Sequence, residues 1–291
     1  MIKLGDYNTL KIVKSVDFGL YLDGGEEGEI LLPQRYVTND MKIGQDITVF
    51  IYLDQEERPV ATTETPYVKV GEFVSLEVAW DNQFGAFLNW GLMKDIFCPF
   101  REQKKRMEQG QRHIVYIKVD EDSYRLMATA KVEKYLTTPT VKDLPQLQHG
   151  AEVNILVWQK TDLGFKVIVN NKFQGLVFEN QIFQPLHSGI RLKAYVDHVR
   201  QDGKIDIMLQ PSGRQQTLDF AETLLRYLYE NDGYCNLGDK SPAELIYDRF
   251  QVSKKAYKKA VGDLYKRRLI TIADDGIRLV KKSFTDNLKS T

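Results

Sequence analysis

Gln83-Phe84-Gly85-Ala86-Phe87-Leu88 repeats, 66 residues downstream, the pattern of Asp17-Phe18-Gly19-Leu20-Tyr21-Leu22: an aromatic, a glycine, then an alternating apolar run. Gly164-Phe165-Lys166-Val167 begins a third and looser copy. Each of these glycines is followed 25 residues later by another, Gly44, Gly110 and Gly189. Period-two alternation returns after each second glycine, in Asp46 to Ile51, Arg112 to Ile117 and Arg191 to Val196. Such runs are half-buried strands. Each copy closes on one more strand, near Val60 to Thr62, Arg125 to Thr129 and Ile205 to Leu209. Four or five short strands in roughly 60 residues are too few for a two-layer sandwich, whereas a closed barrel buries one face and leaves no free edge. The repeats therefore predict three small OB-like barrels.

After Pro211-Ser212-Gly213 the period becomes helical. Leu218, Ala221, Leu224, Leu225 and Leu228 make one apolar stripe, ending near Asn231-Asp232-Gly233. Ser241-Pro242-Ala243-Glu244 has the form of a capping box with proline at the first helical position, opening a helix to about Phe250. Ser253 caps a third helix, with Ala256, Tyr257, Ala260, Val261 and Leu264 facing inward. Leu269 to Ala273 and Ile277 to Val280 then flank Asp274-Asp275-Gly276, a hairpin signal. Three helices and a hairpin in about 70 residues are the plan of a winged helix.

The two hexapeptides resemble the F-G-x-F-V signature of the S1 RNA-binding domain. Asp54 with Arg58, and Asp120 with Arg125, resemble its D-x-x-x-R ending, with one extra residue in the second case. Together with Gly164 to Asn171 and the C-terminal region, the order of domains resembles the conserved virulence factor B family over nearly the whole chain. The resulting fold class is multidomain and mainly β: S1/OB-type barrels at 1–66, 67–135 and 149–211, a linker at 136–148, and an α+β winged helix at 214–285. The resemblance implies RNA binding and regulation of gene expression in bacteria.

In an S1-type barrel, outward aromatics on the second strand stack on bases and a basic side chain on the last strand meets phosphate. Stacking contributes about 1–3 kcal/mol per base and tolerates any sequence, while cations add a salt-sensitive attraction. The resemblance assigns these roles to Phe18, Tyr21 and Arg58 in barrel one and to Phe84, Phe87 and Arg125 in barrel two. Barrel one carries Asp23, Glu26, Glu27 and Glu29 in one hairpin, which repels phosphate, and its aromatics fit barrel filling better. In barrel two Cys98 stands where S1 domains carry histidine, but Arg101, Lys104, Lys105 and Arg106 follow, either as phosphate contacts or as a solvated helix face. Barrel three trades aromatics for charge: Phe165, Phe178 and Tyr195 are its stacking candidates, and Lys166, Lys172, Arg200 and Lys204 its phosphate candidates. The opposing role for Phe165 and Phe178 is core. The second barrel-to-barrel joint is the longer, with Thr137, Thr138, Pro139 and Pro145, and predicts that barrel three stands as a separate unit.

The third helix and its exit set Lys254, Lys255, Lys258, Lys259, Lys266, Arg267 and Arg268 against Asp263 alone, and Arg278 follows on the hairpin. Lysines at the helix start suit phosphates better than base edges. The bland alternative is that they keep an exposed face soluble.

The formal net charge of zero, from 40 basic and 40 acidic residues, hides a gradient: residues 1–66 hold 6 basic and 12 acidic side chains, residues 212–291 hold 15 and 11. Two distant cysteines, Cys98 and Cys235, and four histidines in no metal-binding spacing call for no disulfide, metal or cofactor. No nucleophile elbow or phosphate loop suggests catalysis. With no apolar run long enough for a bilayer, a cytoplasmic setting is the default expectation. The expected function is that of a non-enzymatic binder of single-stranded RNA, acting through barrel three and the winged helix with barrel two assisting. The alternatives are a DNA-binding transcription factor and a scaffold docking on ribosome or polymerase.

Overall fold

The computed structural model describes residues 2–182, 185–210, 214–238, 240–250, 252–273 and 275–280, with backbone alone at 180 and 214–219. Pro211-Ser212-Gly213, Asp274, the Leu218 side chain and the expected domain end at 281–285 lie outside the described residues.

The first barrel is built from Tyr7–Val16 (β1), Gly19–Asp23 (β2), Glu29–Pro33 (β3), Asp46–Leu53 (β4) and Pro59–Thr62 (β5), closed in the order β1-β2-β3-β5-β4. The second uses Phe73–Asn82 (β6), Gly85–Asn89 (β7), Ile96–Pro99 (β8), Arg112–Val119 (β9) and Leu126–Thr129 (β10). The third uses Glu152–Thr161 (β11), Gly164–Val169 (β12), Phe173–Phe178 (β13), Arg191–Val199 (β14) and Ile205–Met208 (β15). All three share one ring order, with the third and fifth strands parallel and the other neighbours antiparallel.

The repeated glycines have a steric cause. A Cβ on Gly19 would lie 2.1 Å from the Leu32 carbonyl oxygen, on Gly85 2.4 Å from that of Cys98, and on Gly164 2.0 Å from that of Val177. Only glycine lets the second and third strands approach so closely. The second glycines donate their N–H to the carbonyls of Ile12, Val78 and Val157 at 2.7–2.9 Å, tying the entry of the fourth strand to the first. Immediately beyond those carbonyls each first strand has a bulge, between Ile12 and Lys14, Val78 and Trp80, and Val157 and Gln159. A bulge re-aims the residues that follow it, and in every barrel those residues lead onto the face described below.

The barrels are not independent. Phe50, Tyr52 and Val60 of barrel one share a core with Val74 to Cys98 of barrel two, and the Phe50 and Trp90 rings meet edge to face at 5.8 Å. Barrel three also packs on barrel two: Phe73, Ile114 and Val132 join Leu156, Trp158 and Ile168 in one buried cluster. Asn171 Oδ1 accepts the Phe73 N–H at 2.8 Å, and the Arg191 guanidinium donates to the Phe73 carbonyl. This corrects the expectation of a separate barrel three. The joint is long because it folds back along the barrels, through a Thr137–Phe173 bridge and the stacking of Tyr135 on Tyr116 at 4.0 Å, instead of spanning a gap.

The C-terminal domain contains Arg214–Glu230 (α1), Tyr234–Cys235 (β16), Ala243–Phe250 (α2), Lys254–Lys266 (α3), Ile270–Ala273 (β17) and Gly276–Leu279 (β18). Its small sheet has the order β16-β18-β17. Phe220, Leu224 and Leu228 of α1, Ile246 of α2 and Tyr257, Ala260, Val261 and Leu264 of α3 converge on one core. The Ser253 hydroxyl caps α3 by accepting the Ala256 N–H at 3.2 Å. Ala256, expected inside, is only half-buried at the edge of that face.

Candidate nucleic-acid interface

Outward positions on neighbouring strands line up across each barrel. In barrel two the row is Trp80 on β6, Phe87 on β7, Phe97 on β8 and Met127 on β10. Trp80 and Phe87 stack at 3.7 Å with planes 5° apart, and Phe97 follows at 4.8 Å. Phe84 stands beside them, 64% exposed. Trp80 itself is 44% exposed, and its Nε1–H donates to Asp95 Oδ2 at 3.1 Å, which fixes the ring's orientation. The result is an immobilised ladder of π-faces open to solvent. Trp80 and Phe97 are not part of the S1 signature; their signal is the register, since both lie directly across from Phe87.

The same row in barrel one reads Lys14, Tyr21, Leu31 and Val60, and in barrel three Gln159, Lys166, Leu176 and Asp206. Neither has a ladder. In barrel one the Lys14 ammonium covers the Tyr21 ring at 5.1 Å, and Arg58 is held by Asp54 and Glu56 at 2.7 and 2.9 Å.

Phe84, Phe87, Phe97 and Met127, without Trp80, line one wall of a groove of about 780 Å³ whose other wall belongs to barrel one, at Tyr52, Leu53 and Glu57. Glu57 reaches across it, 3.0 Å from Lys94 Nζ and 3.8 Å from Arg125 Nε. Arg125 therefore faces barrel one and leaves Asp120 to Ser123 and Arg101, at 2.7 and 3.5 Å. The extra residue between Asp120 and Arg125 accounts for the lost pairing. Cys98 is fully buried, and burial pushes its thiol up to about 12, so it is packing and not a nucleophile. The basic run starts in a single 3-10 turn, Phe100–Glu102, and continues as a loop through Arg106, not an α-helix, pinned by Gln103, whose side chain donates to the Cys98 carbonyl at 2.9 Å and accepts the Met107 N–H at 3.0 Å. Lys104 from this loop and Lys166 from barrel three both cover Trp158, at 4.9 and 5.4 Å.

The barrel-three candidates are dispersed. Phe165 is 7% exposed in the barrel core, at the inward position held by Leu20 and Ala86, so it takes the packing role and not the stacking one. Phe178 pairs with Gly164 as Pro33 and Pro99 pair with Gly19 and Gly85, and Val177 is the residue at the place of Cys98. Arg200 lies 2.6 Å from Asp206, a carboxylate buried to 4% exposure that also meets His198 at 3.3 Å, and stacks on Phe178 at 5.4 Å. A buried carboxylate needs its cation, so Arg200 is committed inward. Lys204 pairs with Asp202, and Lys172, at the far end of the β12–β13 hairpin, pairs with Asp143 of the linker. Lys166, Phe178 and Tyr195 are half-buried, with Arg200 over the Phe178 ring.

On the winged helix, Lys255, Lys258 and Lys259 are exposed on α3 and form no ion pair among the described residues, while Lys254 is half-buried. Arg267 pairs with Asp263 at 3.3 Å, and Arg278 pairs with Asp275 at 2.6 Å while lying over Tyr234. Arg268 is exposed, with a left-handed φ of 56° where the helix ends. No cluster of three or more potential metal ligands and no helix long and apolar enough to cross a membrane occurs among the described residues.

Strand order and site geometry define a multidomain protein of S1-type barrels and a winged helix, domain types that support nucleic-acid binding and are not catalytic families. Residues 4–64 match the S1 domain family, and residues 222–279 match the CvfB-like winged helix domain. The chain is similar to conserved virulence factor B of Staphylococcus saprophyticus, at 22% identity over 97% of this chain and 96% of that one. It is also 28% identical to the uncharacterized protein YitL of Bacillus subtilis, over 90% and 89% of the two chains. A solved multidomain protein with nucleic acid binding domains from Streptococcus pneumoniae aligns with 95% of this chain and 98% of its own, at 20% identity and a TM-score of 0.41. The fold assignment rests on the strand order and the domain matches.

Proposed function

We propose that the chain binds single-stranded RNA without transforming it and regulates gene expression by doing so. The observation that carries this reading is the Trp80–Phe87–Phe97 ladder, with Phe84 beside it. Flat, pre-stacked and half-exposed rings suit unpaired bases, whose π-faces a duplex hides. The lysines of α3 supply the phosphate attraction, and Lys166 at the junction of barrels two and three extends the cationic path, whereas Lys104 there is paired with Glu133. Phe178 and Tyr195 are further contacts, whereas Phe165, Arg200 and Lys172 serve packing and ion pairing. The four units are taken as 1–66, 67–135, 149–211 and 214–285, with 136–148 as the joint, in a cytoplasmic protein.

Lysine is a flexible point charge without arginine's rigid planar fork, so α3 fits a backbone contact better than the sequence-reading role of a DNA-binding transcription factor. Replacing Lys255, Lys259 and Arg268 together tests this. Affinity for single-stranded RNA falls, and the slope of log K against log salt flattens by about 0.7 for each phosphate that is no longer neutralised. An unchanged slope rejects the α3 assignment. Preferential binding of duplex DNA, or binding to ribosomes alone, supports the competing functions.

A further inference from the structure

Gly262 lies inside α3, where glycine lowers helix stability relative to alanine. Its φ is not in the left-handed region, and a Cβ there would meet no atom of the described residues within 4 Å. Among the described residues neither backbone conformation nor close packing explains it.

Its surroundings supply a reason. At about 100° per residue, Lys255, Lys258, Lys259, Tyr265 and Lys266 all project within roughly 60° of Gly262 around the helix axis. All five are exposed, and the core residues Tyr257, Ala260 and Leu264 lie on the opposite side. Gly262, half-buried itself, is thus a gap without a side chain at the centre of a face carrying four ammonium groups and one aromatic ring. Glycine recurs where another chain's backbone must approach closely, and the charge of this face calls for a polyanion.

We infer that Gly262 is a contact residue, the floor of a seat in which the sugar–phosphate backbone of a nucleic-acid strand lies against α3 between Lys258, Lys259 and Lys266. This rests on the nucleic-acid reading of α3 and adds to it a contact without charge. Lysines that only confer solubility have no use for a gap among them.

The test is Gly262→Ala in the full chain, measured against single-stranded RNA across a salt series, beside Lys258→Ala/Lys259→Ala. Alanine favours the helix, so the variant melts at the wild-type temperature or a few degrees higher, and misfolding does not confuse the result. Its affinity is expected to fall about tenfold, in equal proportion at each salt concentration because no charge is removed. The lysine pair instead flattens the salt slope. If Gly262→Ala binds within twofold of wild type while the lysine pair flattens the slope, the seat is wrong and the phosphate reading of α3 stands. If the lysine pair has no effect either, both fall.

Discussion

The indole of Trp80 lies parallel to the ring of Phe87 at 3.7 Å, across the β6–β7 ladder and just beyond the β6 bulge. A pair already stacked in the free protein gives up little side-chain freedom when a base joins it, which is how preorganisation raises affinity. Trp80 is also the accessible tryptophan, at 44% exposure against 2% for Trp90 and 8% for Trp158. Unpaired RNA should therefore quench the intrinsic fluorescence, and Trp80→Phe should abolish most of the quench. Removal of the ring in Trp80→Ala or Phe87→Ala is expected to cost about 1–3 kcal/mol of binding. Wild-type affinity in both variants would remove the ladder from the binding face.

The Glu57 carboxylate lies between two cations at the groove, 3.0 Å from Lys94 and 3.8 Å from Arg125. Its replacement in Glu57→Gln keeps the shape of the turn and frees Arg125 into the groove, while Lys94 loses its counter-charge but stays hydrogen-bonded to the Asp54 carbonyl at 2.6 Å. Binding of single-stranded RNA should tighten and its salt slope steepen by about 0.7 for each cation that takes up a phosphate. Weaker binding with the original slope would mean that Glu57 serves only to fasten barrel one to barrel two.

Trp90 is 2% exposed, meets Phe50 of the neighbouring barrel edge to face, and donates its Nε1–H to the Lys94 carbonyl at 2.7 Å. Large-to-small changes at such sites typically cost about 3–5 kcal/mol. Trp90→Ala should show that loss in denaturant unfolding, with barrels one and two melting apart instead of together. A change under about 1 kcal/mol would mean that the shared core contributes little.

Much of this organisation is legible in the residues. The 25-residue glycine spacing joins a backbone contact that only glycine permits to a turn with φ of 81–96°, so it survives where side chains drift, and it locates all three barrels. The aromatic ladder is half legible: Phe84 and Phe87 sit in a local motif, but Trp80 and Phe97 join them only through strand register, which a bulge after Val78 shifts by one residue. Phe165 illustrates the limit, since its distance from Gly164 rather than its ring decides that it faces inward. The partners of Arg125 and Arg200 are also beyond local reading. Glu57 is 68 residues from Arg125, on another barrel, and Arg200 answers a carboxylate that closure of the barrel buries.

Acid should act on the joint before barrel three. Asp143 takes a hydrogen bond from Lys172 at 2.7 Å and others from the Thr140 N–H and hydroxyl, which hold its carboxyl down at about 2 against an ordinary 3.8. A depressed carboxyl contributes its stability in full above the unfolded value and loses it as pH falls through the folded one, so the tether weakens between about pH 4 and 2. A side-chain carboxyl titration by NMR should give the low midpoint, and Lys172→Ala should return it toward 3.8. An ordinary midpoint in the wild type would show that the linker is not held to the β12–β13 hairpin.

The most direct measurement is a titration of the full chain with single-stranded RNA, single-stranded DNA and duplex DNA of equal length, each at low and at physiological salt. The expected result is tightest binding to single-stranded RNA, quenching of Trp80, and affinity that drops as salt rises. Absence of salt-sensitive binding to unpaired strands, or a clear preference for duplex, would contradict the assignment of this chain to unpaired RNA.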